Sequence, residues 1–124
     1  MRETNEEKGI FNFIVRIFNE ESPKLIDKSE LSERYQELYD KSLFMGIGTA
    51  VTFVMGKGDS LSMADRIGLS QGKIPEHCTQ EGFERLLKSF PHLEKDEDEY
   101  NFSQCWFLGG IKEAIAFMER ELNK

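Results

Sequence analysis

Apolar residues recur at intervals of three and four positions along most of the chain, which is the spacing of one face of an α-helix. Five segments show this pattern, and each is bounded by capping residues, glycine or proline. The pattern therefore predicts an all-α fold, a compact bundle of about five helices formed by residues 1–124 as one domain. The predicted helices cover, to within a few residues, 6–19, 27–55, 62–69, 79–90 and 101–124.

The second predicted helix contains "TAVTFV", residues 49–54, whose β-branched side chains also fit a short strand. Helical spacing on both sides favours a helix over 49–55, and a strand is the alternative. Gly46 and Gly48 then indicate close packing against a neighbour or a kink.

Helix ends are predicted from capping residues. Pro23 ends the first helix because it cannot continue the hydrogen-bond ladder. Asp27, followed by Glu30, has the spacing of a capping box and begins the second helix. Asn101 is the predicted cap of the fifth helix.

The apolar face of each helix predicts the core. The chain has ten phenylalanines, which bury a large apolar area at about 25 cal/mol per Å². The predicted core residues are Phe11, Ile14, Phe18, Leu38, Val51, Phe83, Leu87, Ile111, Ile115 and Met118.

The first helix is apolar on a second side as well, formed by Ile10, Phe13 and Ile17. An extra apolar face is either buried between neighbouring helices or contacts a partner. We interpret these three residues as a partner-binding face. The sequence thus indicates a small interaction protein, an accessory or regulatory subunit that binds a protein partner and is itself a monomer or weak homo-oligomer.

Charge is concentrated in "EKDEDE", residues 94–99, where five acids and one lysine supply −4 of the net −7. Asp96 and Asp98 are predicted contacts for a basic partner. The net negative charge argues against electrostatic binding to nucleic acid or to anionic membrane, since both need clustered lysine and arginine, although an acidic chain can still carry a basic face. The longest apolar run, residues 43–55, is too short to span a bilayer, and "MRETNEEK" has no signal-peptide pattern, so a cytoplasmic location is expected.

Residues 62–77 have the spacing of a helix-turn-helix, with Ala64, Gly68 and Ile74 at the turn and its anchors. Gly72 and Pro75 would fall inside the second helix, which favours a short helix followed by a loop over residues 71–78. A DNA-binding regulator using residues 62–78 is the alternative. Its candidate nucleic-acid contacts are Lys41, Lys57, Lys73, Arg85 and Lys88.

No pattern of catalytic, metal-binding or cofactor-binding residues is present in the sequence. His77, Cys78, His92 and Cys105 do not have the paired spacing of a zinc site. No phosphate-binding loop or EF-hand loop matches. Cys105, beside two aromatic residues, is predicted to be a buried free thiol. The sequence therefore predicts no catalytic residues, no metal and no cofactor.

Three segments resemble a known family. They are the aromatic opening helix "GIFNFIVRIF", the stretch "ERYQELYDKSLFMGIGTAVTFVMGKG" with Gly46, Phe53 and Lys57, and the closing "WFLGGIKEAIAFM". Together they resemble the small subunit of type III-B CRISPR RNA-targeting (Cmr) complexes. Leu43 stands where that family has a proline, and about one helical turn is missing after Met45. The resemblance implies an all-helical subunit of an RNA-guided antiviral complex, as an alternative function.

Replacement of Pro75 by alanine tests the loop assignment. In a loop, Pro75→Ala changes the free energy of unfolding by less than about 1 kcal/mol, through the entropy of the unfolded chain. In a recognition helix, the same change stabilises the protein by about 2 kcal/mol or more and raises its helix content. Thermal melts followed by circular dichroism measure both quantities, and we expect little change in either.

Overall fold

The structure is a computed structural model that describes residues 5–122, with the side chains of residues 8–121. The described residues form five α-helices joined by short connections and 3₁₀ turns, without a strand. The all-α prediction is therefore confirmed, and residues 49–55 are helical. The helices are α1 (Asn5–Leu25), α2 (Glu33–Lys57), α3 (Met63–Ser70), α4 (Glu76–Ser89) and α5 (Glu97–Leu122).

Helices α2 and α5 lie side by side and run in the same direction. The ring of Tyr35 packs edge-to-face on Phe102, with centroids 4.7 Å apart, and Tyr39 packs on Trp106 in the same way at 4.8 Å. A step of four residues along α2 thus matches a step of four along α5. The two helices are parallel and share one register of contacts.

The backbones of α2 and α5 touch where two glycines face each other. A Cβ built on Gly46 would fall on the carbonyl oxygen of Phe107. A Cβ on Gly110 would fall on the carbonyl oxygen of Leu43 and lie 3.0 Å from the amide nitrogen of Ile47. Because these neighbours are backbone atoms, they cannot move aside, and only glycine fits at either position. The close packing predicted at Gly46 is therefore confirmed.

Helix α1 packs antiparallel on α2. Ile14 lies against Gly48, whereas Ser22, two turns further along α1, meets Tyr39, which lies earlier on α2. The Tyr39 hydroxyl donates to the Ser22 carbonyl at 2.9 Å and accepts from the Ser22 hydroxyl at 3.2 Å. Tyr39 is fully buried, and this burial raises its pKa.

Helix α4 covers one side of the pair formed by α2 and α5. A Cβ on Gly82 would overlap the side chains of Thr49 and Phe107, so α4 comes close to both helices. The ring of Phe83 packs 5.3 Å from Tyr100 and 5.5 Å from Phe107. Helix α3, by contrast, has no buried residue.

The predicted start of α3 is confirmed by a capping box. The amide of Asp65 donates to the Ser62 hydroxyl at 3.0 Å, and the amide of Ser62 donates to the Asp65 carboxylate at 3.1 Å. These hydrogen bonds satisfy two amides that the first turn of a helix leaves open. The backbone hydrogen bond from Ser62 lowers the pKa of Asp65.

The predicted boundary between the first two helices was wrong. Pro23 lies inside α1, which runs on to Leu25. Pro23 has no amide to donate to the carbonyl of Asn19, but only two helical residues follow it, so the interruption is confined to the last turn of α1. Asp27 accepts hydrogen bonds from Ser29 and caps only a 3₁₀ turn, Lys28–Glu30, whereas Ser32 caps α2.

The predicted start of α5 at Asn101 was also wrong. Asp96 accepts a hydrogen bond from the amide of Glu99 at 3.1 Å, and the helix begins at Glu97. Acidic side chains in the first turn interact favourably with the partial positive charge of a helix N-terminus. Residues 96–99 of the acidic segment therefore cap and begin α5.

The predicted loop over residues 71–78 is too long, because residues 76–78 belong to α4. Pro75 is the N-cap residue of α4, with φ at −53°, a value that proline adopts without strain. The sharp turn is made at Gly72, whose φ of 74° lies in the left-handed region. Pro75 thus lies immediately before α4 and outside the helix. The small change in the free energy of unfolding that we expect for Pro75→Ala fits this position.

Most of the predicted core is buried, with Phe11 as the clear exception. Phe11 is 54% exposed, and its ring lies in a T-shaped contact with that of Phe44, with centroids 6.3 Å apart. Phe18 and Leu87 are half-buried. The other predicted core residues are buried, namely Ile14, Leu38, Val51, Phe83, Ile111, Ile115 and Met118.

Replacement of Gly46 by alanine tests the contact between α2 and α5. The added methyl group would meet the Phe107 backbone, so we expect Gly46→Ala to lower the free energy of unfolding by about 2 kcal/mol or more. Gly56→Ala is the matched control, since Gly56 lies in the same helix with open space around it. Alanine should leave stability there unchanged or raise it by up to about 1 kcal/mol. Equal denaturant midpoints for the two variants would contradict the contact.

Candidate partner-binding surface

The predicted partner-binding face on α1 is largely part of the core. Ile17 is fully buried and cannot contact a partner, so that assignment was wrong. Ile10 and Phe13 are half-buried against the core, and the ring of Phe13 packs on Phe117 with centroids 5.8 Å apart. The second apolar side of α1 is explained by its position between α2 and α5.

The acidic residues predicted to meet a basic partner lie at the start of α5. Asp96 is exposed, but its carboxylate is engaged in capping the helix. Asp98 is exposed in the first turn. Their position at a helix N-terminus accounts for part of the acidity without a partner.

Two exposed large apolar side chains lie together on α3, and a third lies near the end of α2. Met63 is 74% exposed and Ile67 is 53% exposed, and the two stand one helical turn apart. Met55, near the end of α2, is 45% exposed. We call Met63 and Ile67 the α3 ridge. No sequence pattern distinguishes these residues from core residues, since their spacing is that of a buried helix face.

An apolar groove borders this ridge. It has a volume of about 270 Å³ and is lined on one side by α3 and on the other by α5. Arg66 and Glu119 stand among its lining residues. We call it the α3 groove; its apolar lining consists of Val54, Leu61, Leu69, Ile115 and Met118.

Two further grooves lie along α5. The lysine groove, about 550 Å³, is formed by the connection between α3 and α4, the first turn of α4, and Leu108, Ile111 and Lys112 of α5. The α4 groove, about 360 Å³, lies between α4 and the first half of α5. Leu108, which is 47% exposed, lines both.

The five cations predicted for nucleic-acid binding are all exposed, and none has an ion pair among the described residues. They do not form one cluster, because Lys41 and Lys57 lie sixteen residues apart on α2, about 24 Å along its axis. Arg85 and Lys88 lie on the outer side of α4, which also carries glutamates. Lys73 lies in the lysine groove.

A cluster of titratable side chains, Arg34, His92 and Glu99, joins α2 to the start of α5. Glu99 is nearly buried and accepts from the Arg34 guanidinium at 2.6 Å, and His92 lies 3.7 Å from its other oxygen. In the described part of the chain, no three His, Cys, Asp or Glu side chains are placed to hold a metal ion. Nor is any described helix both long and apolar enough to cross a bilayer.

The two thiols lie in different environments, and that of Cys105 is not the one predicted. Cys105 is exposed on α5, so its prediction as a buried thiol was wrong. Cys78 is half-buried at the start of α4, with its sulfur 3.4 Å from Nε2 of His77. Burial, with a contribution from the charge of Glu81, raises the pKa of Cys78.

In comparisons with protein-family models, with curated proteins and with solved structures, the chain has no match.

Alkylation of the thiols tests these environments. We expect iodoacetamide at mildly alkaline pH to modify Cys105 about tenfold faster than Cys78, because only the exposed thiolate is readily attacked. Peptide mass spectrometry of the folded protein gives both rates. Denatured protein is the control, in which the rates should converge. Faster modification of Cys78 in the folded protein would contradict the placement of the two residues.

Proposed function

We propose that this chain is a non-enzymatic interaction protein, an accessory or regulatory subunit that binds a protein partner through the α3 ridge and the adjoining α3 groove. The observation that supports it is the exposure of Met63 and Ile67 on a helix that buries none of its own residues. Large apolar side chains placed together at the surface are typical of protein-binding sites.

The chemistry of the ridge suits a binding role. Methionine is flexible and polarizable, and so adapts its shape to a partner surface. Burial of a methionine or isoleucine side chain is favourable by about 1.5–3 kcal/mol. Two such side chains beside an apolar groove supply the centre of an interface, and Arg66 and Glu119 supply part of its polar rim.

One cluster of titratable groups is explained by structure rather than by turnover. The Arg34, Glu99 and His92 cluster is an ion-pair arrangement that joins α2 to the start of α5. It holds no nucleophile, and its carboxylate is occupied by the guanidinium. We therefore assign it a structural role.

A nucleic-acid-binding subunit is the second candidate, as the resemblance to the small subunit of type III-B CRISPR complexes implies. The observation in its favour is that five cations are exposed and have no ion pair among the described residues. Titration of labelled single-stranded and duplex oligonucleotides at low and moderate salt separates the two functions. Micromolar binding that weakens steeply with salt would favour the nucleic-acid candidate.

Site-specific photo-crosslinking in the source cells tests the proposed surface. A crosslinking amino acid at position 63 or 67 should capture the same protein, identified by mass spectrometry. The same amino acid at Glu37, an exposed position at the other end of α2, is the control and should not capture it. A capture pattern identical at all three positions, or none at any, would contradict the proposal.

Charge substitutions complete this test. The double variant Met63→Glu, Ile67→Glu should abolish capture from a third position, Ser70, while it changes the free energy of unfolding by less than about 0.5 kcal/mol. The exposed control Lys41→Glu should change neither capture nor stability. Retained capture by the double variant would show that the partner binds elsewhere.

A further inference from the structure

The three grooves lie along a single side of α5. Their α5 residues are spaced three and four positions apart from the first turn of the helix almost to its end. That spacing is one face of a helix. The residues are Tyr100, Gln104, Phe107, Leu108, Ile111, Lys112, Ile115, Met118 and Glu119.

The wall that faces α5 across the grooves is a different element in each groove. It is α4 at the first groove, the connection between α3 and α4 at the second, and α3 at the third. Thr79 and Leu108 line both the α4 groove and the lysine groove, so these two adjoin. Ser70 and Gln71, adjacent in sequence, line the α3 groove and the lysine groove respectively. We call the three grooves together the α5 groove.

The length and floor of the α5 groove suit a helix. Tyr100 and Glu119 are nineteen residues apart, which is about 28 Å along α5. Most of the floor is apolar, and Leu108 stands exposed near its middle. A groove of this length between helical walls is the kind that takes the apolar side of an amphipathic helix.

The charges along the α5 groove are ordered. Lys73 and Lys112 flank its middle, and neither has an ion-pair partner among the described residues. The stem of Lys112 lies over Gly72, where an added Cβ would come within 3.3 Å of its Cγ. Glu76 also lines the middle, so the local charge is one positive unit in a chain of net −7.

The end of the groove nearest the start of α5 is acidic. Glu84 and Glu94 line it, and the described cations line only the other two parts of the groove. A partner that matched this order would place carboxylates over the two lysines and cations over the two glutamates. Such matching fixes the direction in which a helix lies.

We propose that the α5 groove binds an amphipathic α-helix of about five turns, with a central carboxylate that meets Lys73 and Lys112 and a basic end that meets Glu84 and Glu94. This inference rests on the proposed function and names the class of partner. The α3 ridge then contacts the flank of the same partner.

Selection of helical peptides tests the proposal. The probe is a displayed library with a fixed helix-favouring frame and one randomised face, selected against the intact protein. Enriched clones should carry a central acid and a basic end. As synthetic peptides in fluorescence anisotropy, they should lose at least about tenfold in affinity for the K73E/K112E variant.

The matched control is K41E/K88E, which makes the same change of charge at exposed lysines outside the groove. It should change peptide affinity by less than about twofold, and both variants should melt as the parent does. Three results would overturn the proposal: no enriched helical clone, clones that bind K73E/K112E as well as the parent, or equal losses in both variants.

A second copy of the chain is the competing occupant, and sedimentation over a range of concentrations detects it. We expect self-association, where present, to be the same in the parent and in K73E/K112E. Its loss in that variant would overturn the proposal in favour of a dimer. If the peptide test fails, the crosslinking at positions 63 and 67 still tests the proposed function, so each proposal can fail without the other.

Discussion

The backbone contact between Gly46 and Gly110 is the constraint on which the rest of the structure depends. Without side chains at this point, α2 and α5 approach until backbone meets backbone. That approach sets the register in which Tyr39 packs on Trp106, and so fixes where α1 can dock, because Tyr39 bonds to Ser22. Helix α4 packs on the same region of α2 and α5 through Gly82. Each neighbour is thus placed relative to one pair of helices.

The fold class and much of the core follow from the sequence because apolar residues recur at helical spacing along most of the chain. On α5, Ile111, Ile115 and Met118 repeat at this spacing and are buried. Helix α1 is apolar on two sides, and periodicity alone cannot choose between them. The choice is made by tertiary contacts, which turn Ile17 inward and leave Phe11 at the surface. Burial on α1 is therefore decided by its neighbours.

The candidate site was much less predictable than the fold. Met63, Ile67 and Leu108 have the spacing of core residues, and only the packed structure shows that they face outward. The lysine groove joins Lys73 to Lys112, which are far apart in sequence and come together only when the connection between α3 and α4 folds against α5. Local sequence patterns cannot predict a contact between residues so far apart. They can predict the helix start at Ser62, because the two hydrogen bonds of its capping box are local.

The same constraint gives the two walls of the α5 groove different mechanical properties. Helix α5 is held to α2 by backbone contact on one side, so its opposite side is a rigid floor, and a rigid floor reduces the entropy lost on binding. Helix α3 buries none of its own residues, and elements with few buried apolar contacts are the ones that open at low free energy. Burial of Met63 and Ile67 against a partner would add to the apolar contact that α3 makes through Leu69, which is partly buried against the core. Partner binding and the stabilisation of α3 are on this view one thermodynamic event.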